Sequence, residues 1–83
     1  MKSIRLKYCS ENGCTFKFVN RLNVMEFMIR EDMNSTLVEI YLETGHRISL
    51  SSQLESSSDL TKRWLRFETS EEIFFDLAEF EVQ

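Results

Sequence analysis

The chain contains no proline, two glycines, one histidine and two cysteines. Without proline or glycine-rich stretches it has no collagen-like repeat, polyproline segment or flexible linker. One histidine rules out an H-E-x-x-H metal helix, and neither a G-x-S-x-G elbow nor a phosphate-cradling glycine loop occurs. No apolar run approaches the roughly 18 residues needed for a bilayer-spanning helix. The opening MKSIRLKY alternates basic and apolar residues and lacks the apolar core of a secretory signal. Two cysteines are too few for the disulfide framework of a small secreted domain, so the expected compartment is the cytoplasm. No constellation of catalytic, cofactor-binding or metal-ligating residues is visible, so a non-enzymatic protein without cofactor is expected.

What is present is globular in balance. Of 83 residues, 42% are hydrophobic and 29% charged, enough for one domain spanning 1–83. The net charge of -4 argues against broad binding to nucleic acid, which needs a cationic surface. That charge is unevenly spread. Lys2, Arg5, Lys7, Lys17 and Arg21 crowd the first 21 residues, and an acidic run from Glu68 to Glu81 closes the chain.

Residues 1–50 alternate at period two, the mark of half-buried strands, and predict a five-stranded antiparallel meander. Placing every apolar set on one face fixes a register for each hairpin. In the first, Tyr8 faces Phe16 and Leu6 faces Phe18, with Glu11-Asn12-Gly13 as the loop. In the second, Phe18 faces Met25 and Phe16 faces Phe27 across a turn at 20–23, which sets Lys17 opposite Glu26. The third pairs Phe27 with Ile40 and Met25 with Leu42 around Met33-Asn34. The fourth pairs Leu42 with Ile48 and Ile40 with Leu50 around Gly45, with Glu43 opposite Arg47.

A polar connector at 51–58 precedes a helical cover at 59–83. Leu60, Trp64 and Phe67 fall at i, i+4 and i+7, an amphipathic helix capped by Ser58 or Asp59. Thr69 and Glu72 form a capping-box signature for a second helix with Ile73, Leu77 and Phe80 on one face and Phe74 at its edge. Phe75 falls off that face. The expected fold is therefore α+β, a five-stranded meander with one or two C-terminal helices packed on one face. The alternative is an all-β sandwich in which 62–69 and 73–82 are strands.

Cys9 and Cys14 lack the further ligands of a zinc finger or ribbon. The three-residue loop points them to opposite faces, so two ordinary thiols are expected, with neither metal nor disulfide. His46 sits in a turn, where a solvated role is expected. Lys62, Arg63 and Arg66 surround Trp64 as a basic patch that would suit a single strand of nucleic acid. The helical spacing instead makes Trp64 core and the cations a solvated face.

The acidic run carries the expected partner contact. On a helix, Glu72, Asp76 and Glu79 form one stripe, with Glu68 and Glu71 near its start, able to dock on a cationic groove. A solubilising surface is the competing reading. The expectation is a binding protein acting by stoichiometric contact with a larger protein or protein–nucleic acid complex, with no membrane partner. Size and charge class match phage or mobile-element inhibitors of the anti-CRISPR or anti-restriction kind. A self-associating assembly component is the alternative, because Val19, Val24, Met28, Leu37 and Tyr41 have outward parity. A weaker third is a nucleic-acid regulator using Arg5, Lys7, Lys17 and Arg21.

Overall fold

A computed structural model describes residues 1–83. Seven strands and one helix follow in the order β1 (Ser3–Ser10), β2 (Gly13–Asn20), β3 (Val24–Asp32), β4 (Ser35–Leu42), β5 (Arg47–Ser52), α1 (Ser57–Thr69), β6 (Phe74–Asp76) and β7 (Glu81–Val82). They form two sheets, β2-β1-β6 and β3-β4-β5-β7, so the single meander is replaced by a split one. Pairing within the first sheet is antiparallel for β1–β2 and parallel for β1–β6.

The split falls at residues 20–23, where a hairpin turn was expected. Arg21–Asn23 make one 3-10 turn capped by Asn20, whose side chain accepts from the Leu22 N–H. The Arg21 N–H donates to the Lys2 carbonyl at 2.8 Å, and its guanidinium pairs with Glu68 and lies over the Trp64 ring. These anchors carry the chain from one sheet to the other, so Lys17 and Glu26 never pair.

In the first hairpin Tyr8 faces Thr15 and Cys9 faces Cys14, one residue away from the expected register, across the two-residue loop Glu11-Asn12. Gly13 follows that loop with φ 122°, a conformation that glycine adopts without a Cβ clash. The slip turns Phe16 and Phe18 to the side of Arg5 and Lys7, and sets Lys17 beside Tyr8. What makes basic–aromatic neighbours acceptable is their stacking. The Arg5 guanidinium lies 4.4 Å from the Phe16 ring centre and the Lys17 ammonium 4.6 Å from that of Tyr8.

The second sheet keeps most of its expected pairing. Phe27 faces Ile40, but a bulge between Val24 and Glu26 puts Val24, not Met25, opposite Leu42. Val24 is consequently buried, against its expected outward parity, and Met25 is exposed. Ile40 faces Ile48 and Val38 faces Leu50, a two-residue shift that preserves the buried face but sets Arg47 opposite Tyr41 instead of Glu43. On the outer side, Arg47 and Arg30 both pair with Glu39, at 3.3 and 2.8 Å.

The connector is shorter than expected, because β5 runs to Ser52 and α1 begins at Ser57. Its cap is Ser56, whose hydroxyl accepts from the Asp59 N–H at 3.1 Å. Ser56→Ala is expected to lower stability by about 1 kcal/mol, read as a shift in the urea midpoint. At the other end the Lys2 ammonium donates to the Ser70 carbonyl at 2.8 Å and to that of Phe67. A cation there satisfies helix carbonyls and complements the dipole.

There is no second helix. α1 continues through Thr69 and so consumes the residue expected to cap it. Phe75 and Leu77 are buried while Phe74 and Asp76 are exposed, which is period two. The residue that spoiled the helical pattern is thus the one that packs in the core. The alternative sandwich is met at 73–82 by β6 and β7, but 62–69 is helix.

α1 packs against β3 of one sheet and β6 of the other. Its Trp64 stacks on Phe27 with ring centres 3.9 Å apart, and Phe75 meets both rings edge-on. Ile4, Leu6, Val38, Ile40, Leu50, Leu60, Phe67, Leu77 and Phe80 complete the core between the sheets.

Candidate functional site

The flipped hairpin register brings Cys9 and Cys14 side by side as a disulfide with Cα atoms 4.0 Å apart. The expectation of two separate thiols is therefore corrected. It depended on the three-residue loop, and the two-residue loop puts both side chains on one face. No three His, Cys, Asp or Glu side chains are grouped so as to hold a metal ion.

The expected acidic stripe is dispersed, because residues 74–76 are strand and not helix. Glu68 pairs with Arg21, and Glu72 with Arg66 at 2.9 Å. Asp76 takes two hydrogen bonds from Arg5, at 2.9 and 3.3 Å. Glu71 and Glu79 make no ion pair, although Glu79 lies close enough to Arg63 to help stabilise its charged form. The basic patch is equally divided. Arg63 is held by two 2.7 Å hydrogen bonds from its guanidinium to Glu55, which raise its pKa further above the usual arginine value. Arg66 is engaged by Glu72, and Lys62 is exposed without an ion pair.

The surface assembled instead is the outer face of the β2-β1-β6 sheet. Phe16, Phe18 and Phe74 stand on it with 47, 56 and 56% exposure, against complete burial for Phe67. The Phe18 and Phe74 rings lie 5.9 Å apart, tilted at 58°. Arg5 rises between them, one side on the Phe16 ring and its guanidinium held by Asp76. A shallow depression lined by Arg5, Phe18, Phe74 and Asp76 lies at the centre. Lys7 and the disulfide sit on the same face, since Lys7 faces Phe16 and Cys9 faces Cys14.

Aromatic rings half in water, fixed by neighbours and ringed by charge, carry a large apolar contact area at low entropic cost. Sequence periodicity assigned Phe16 and Phe18 to the core, and so missed this face. The signal that would have found it was the cysteine pair: placing Cys9 opposite Cys14 turns both phenylalanines outward.

No family model, curated protein or solved structure matches this chain.

Proposed function

We propose that this chain is a non-enzymatic binding domain that acts by stoichiometric contact with a larger protein through the outer face of the β2-β1-β6 sheet. The observation that carries this reading is the set of exposed rings Phe16, Phe18 and Phe74 around the Arg5–Asp76 pair. Apolar anchors on a rigid sheet, surrounded by polar groups, have the composition of an interface centre. The matching partner surface is an apolar depression with an acidic rim for Lys7. We assign the contact to the aromatic face because Glu68, Glu72 and Asp76 are already ion-paired within the chain. Inhibition of a nucleic-acid-handling enzyme, of the anti-CRISPR or anti-restriction kind, is the narrower form of this reading. It draws support from size and acidity alone.

The test compares capture by the wild type, by F16S/F18S/F74S and by E71K/E72K/E79K from a nuclease-treated lysate, followed by affinity measurement with the purified partner. Aromatic anchors are worth ~2 kcal/mol or more each, so the aromatic variant should bind at least about 100-fold more weakly. Its far-UV circular dichroism should match the wild type. The acidic variant should retain capture. Loss in the acidic variant with retention in the aromatic one would move the contact to the acidic run and its cationic partner.

A further inference from the structure

The sheets expose four edges, and three are guarded. β6 and β7 are three and two residues long, too short to template another strand. β3 is interrupted by its bulge and carries Glu26, Arg30, Glu31 and Asp32, charges that oppose pairing.

β2 lacks most of these defences. It is eight residues long, its ladder with β1 is unbroken, and it carries neither proline nor an acid. Its one charge, Lys17, is folded onto the Tyr8 ring of its own hairpin. The Cα separation of 4.0 Å between Cys9 and Cys14 is that of a non-hydrogen-bonded cross-strand pair. By alternation, the N–H and C=O groups of Cys14, Phe16, Phe18 and Asn20 all point away from β1, along the open edge.

We propose that this edge pairs with a second copy of itself, antiparallel β2 to β2 about a twofold axis at Phe16. The choice of occupant follows from the strand's self-complementarity. Two registers pair almost the whole strand while keeping the outer faces continuous. One is centred on Lys17 and sets the two ammonium groups opposite each other at the closest cross-strand approach, where like charges repel. The other is centred on Phe16 and places Lys17 against Thr15 of the second copy, and Phe18 against Cys14. No like charges meet in it, and all the free edge groups from Cys14 to Phe18 find partners. The product is a six-stranded sheet, β6-β1-β2 twice, whose outer face carries both sets of Phe16, Phe18 and Phe74. This pairing goes beyond the binding reading above. It uses the strand edge and joins the two aromatic faces side by side, the two Phe16 rings being neighbours across the axis, so one copy pair would present one continuous contact face.

Sedimentation velocity across a concentration series up to about 1 mM tests it, with two register-specific variants. Thr15 and Lys17 are both exposed, so substitutions at Thr15 leave the core intact. Thr15→Glu creates two symmetry-related Glu–Lys pairs and should tighten the dimer roughly 2- to 30-fold, and Thr15→Lys should weaken it by a similar factor. Far-UV circular dichroism checks that both variants are folded. A wild type that stays monomeric throughout, a species heavier than the dimer, or equal effects of both variants would overturn the proposal. Binding only to a foreign strand would appear as a monomer alone and would overturn it too. Partner capture through the aromatic face should be unchanged in both Thr15 variants, which separates failure of this pairing from failure of the binding reading.

Discussion

Phe75→Ala should lower the unfolding free energy by about 3–5 kcal/mol, whereas Phe74→Ala should cost under about 1 kcal/mol. The two residues are adjacent, yet Phe75 is 2% exposed and Phe74 56%. Phe75 is in edge-on or tilted contact with Phe27, Trp64 and Phe67, and removing it opens a cavity where both sheets and the helix meet. Domains of this kind are held by only about 5–15 kcal/mol, so the variant should approach unfolding at 37 °C. Urea titration followed by fluorescence of the single tryptophan, Trp64, measures both. The comparison also decides between strand and helix at 73–77. A helix with Ile73, Leu77 and Phe80 on its buried face, Phe74 at its edge and Phe75 off it would reverse the order of the two effects.

Removing the disulfide should have the next largest effect. A crosslink from Cys9 to Cys14 closes a short loop, for which chain entropy estimates about 2 kcal/mol. Cys9→Ser/Cys14→Ser, and the wild type under reductant, should both lose about that much in urea unfolding. A thiol count without reductant checks the pairing itself, and two reactive thiols there would overturn it. The crosslink also holds the register that turns Phe16 and Phe18 outward, so partner capture should weaken with it.

Local reading succeeded where the deciding forces were local. The strand period across residues 1–50, the turns at Met33-Asn34 and Gly45, the Phe27–Ile40 pair and the inward stripe of Leu60, half-buried Trp64 and Phe67 follow from side-chain periodicity and turn chemistry. Alternation alone missed the candidate site. Alternation states which residues share a face but not which face is buried. For β2 that choice was made by the disulfide and by Arg5 and Lys17 stacking on aromatic rings.

Periodicity along the chain therefore placed most of the strand residues before Leu50 and the helix across Leu60 to Phe67, and composition showed the uneven charge. Long-range packing made the meander break at residues 20–23, added 74–76 in parallel to β1 and left three phenylalanines in water. Each of these depends on a partner distant in sequence. Arg21 meets Glu68, Ser3 pairs with Phe74, and Phe75 fills the space beside Trp64. The energy of such contacts exists only once the chain has closed on itself, so no local pattern records it.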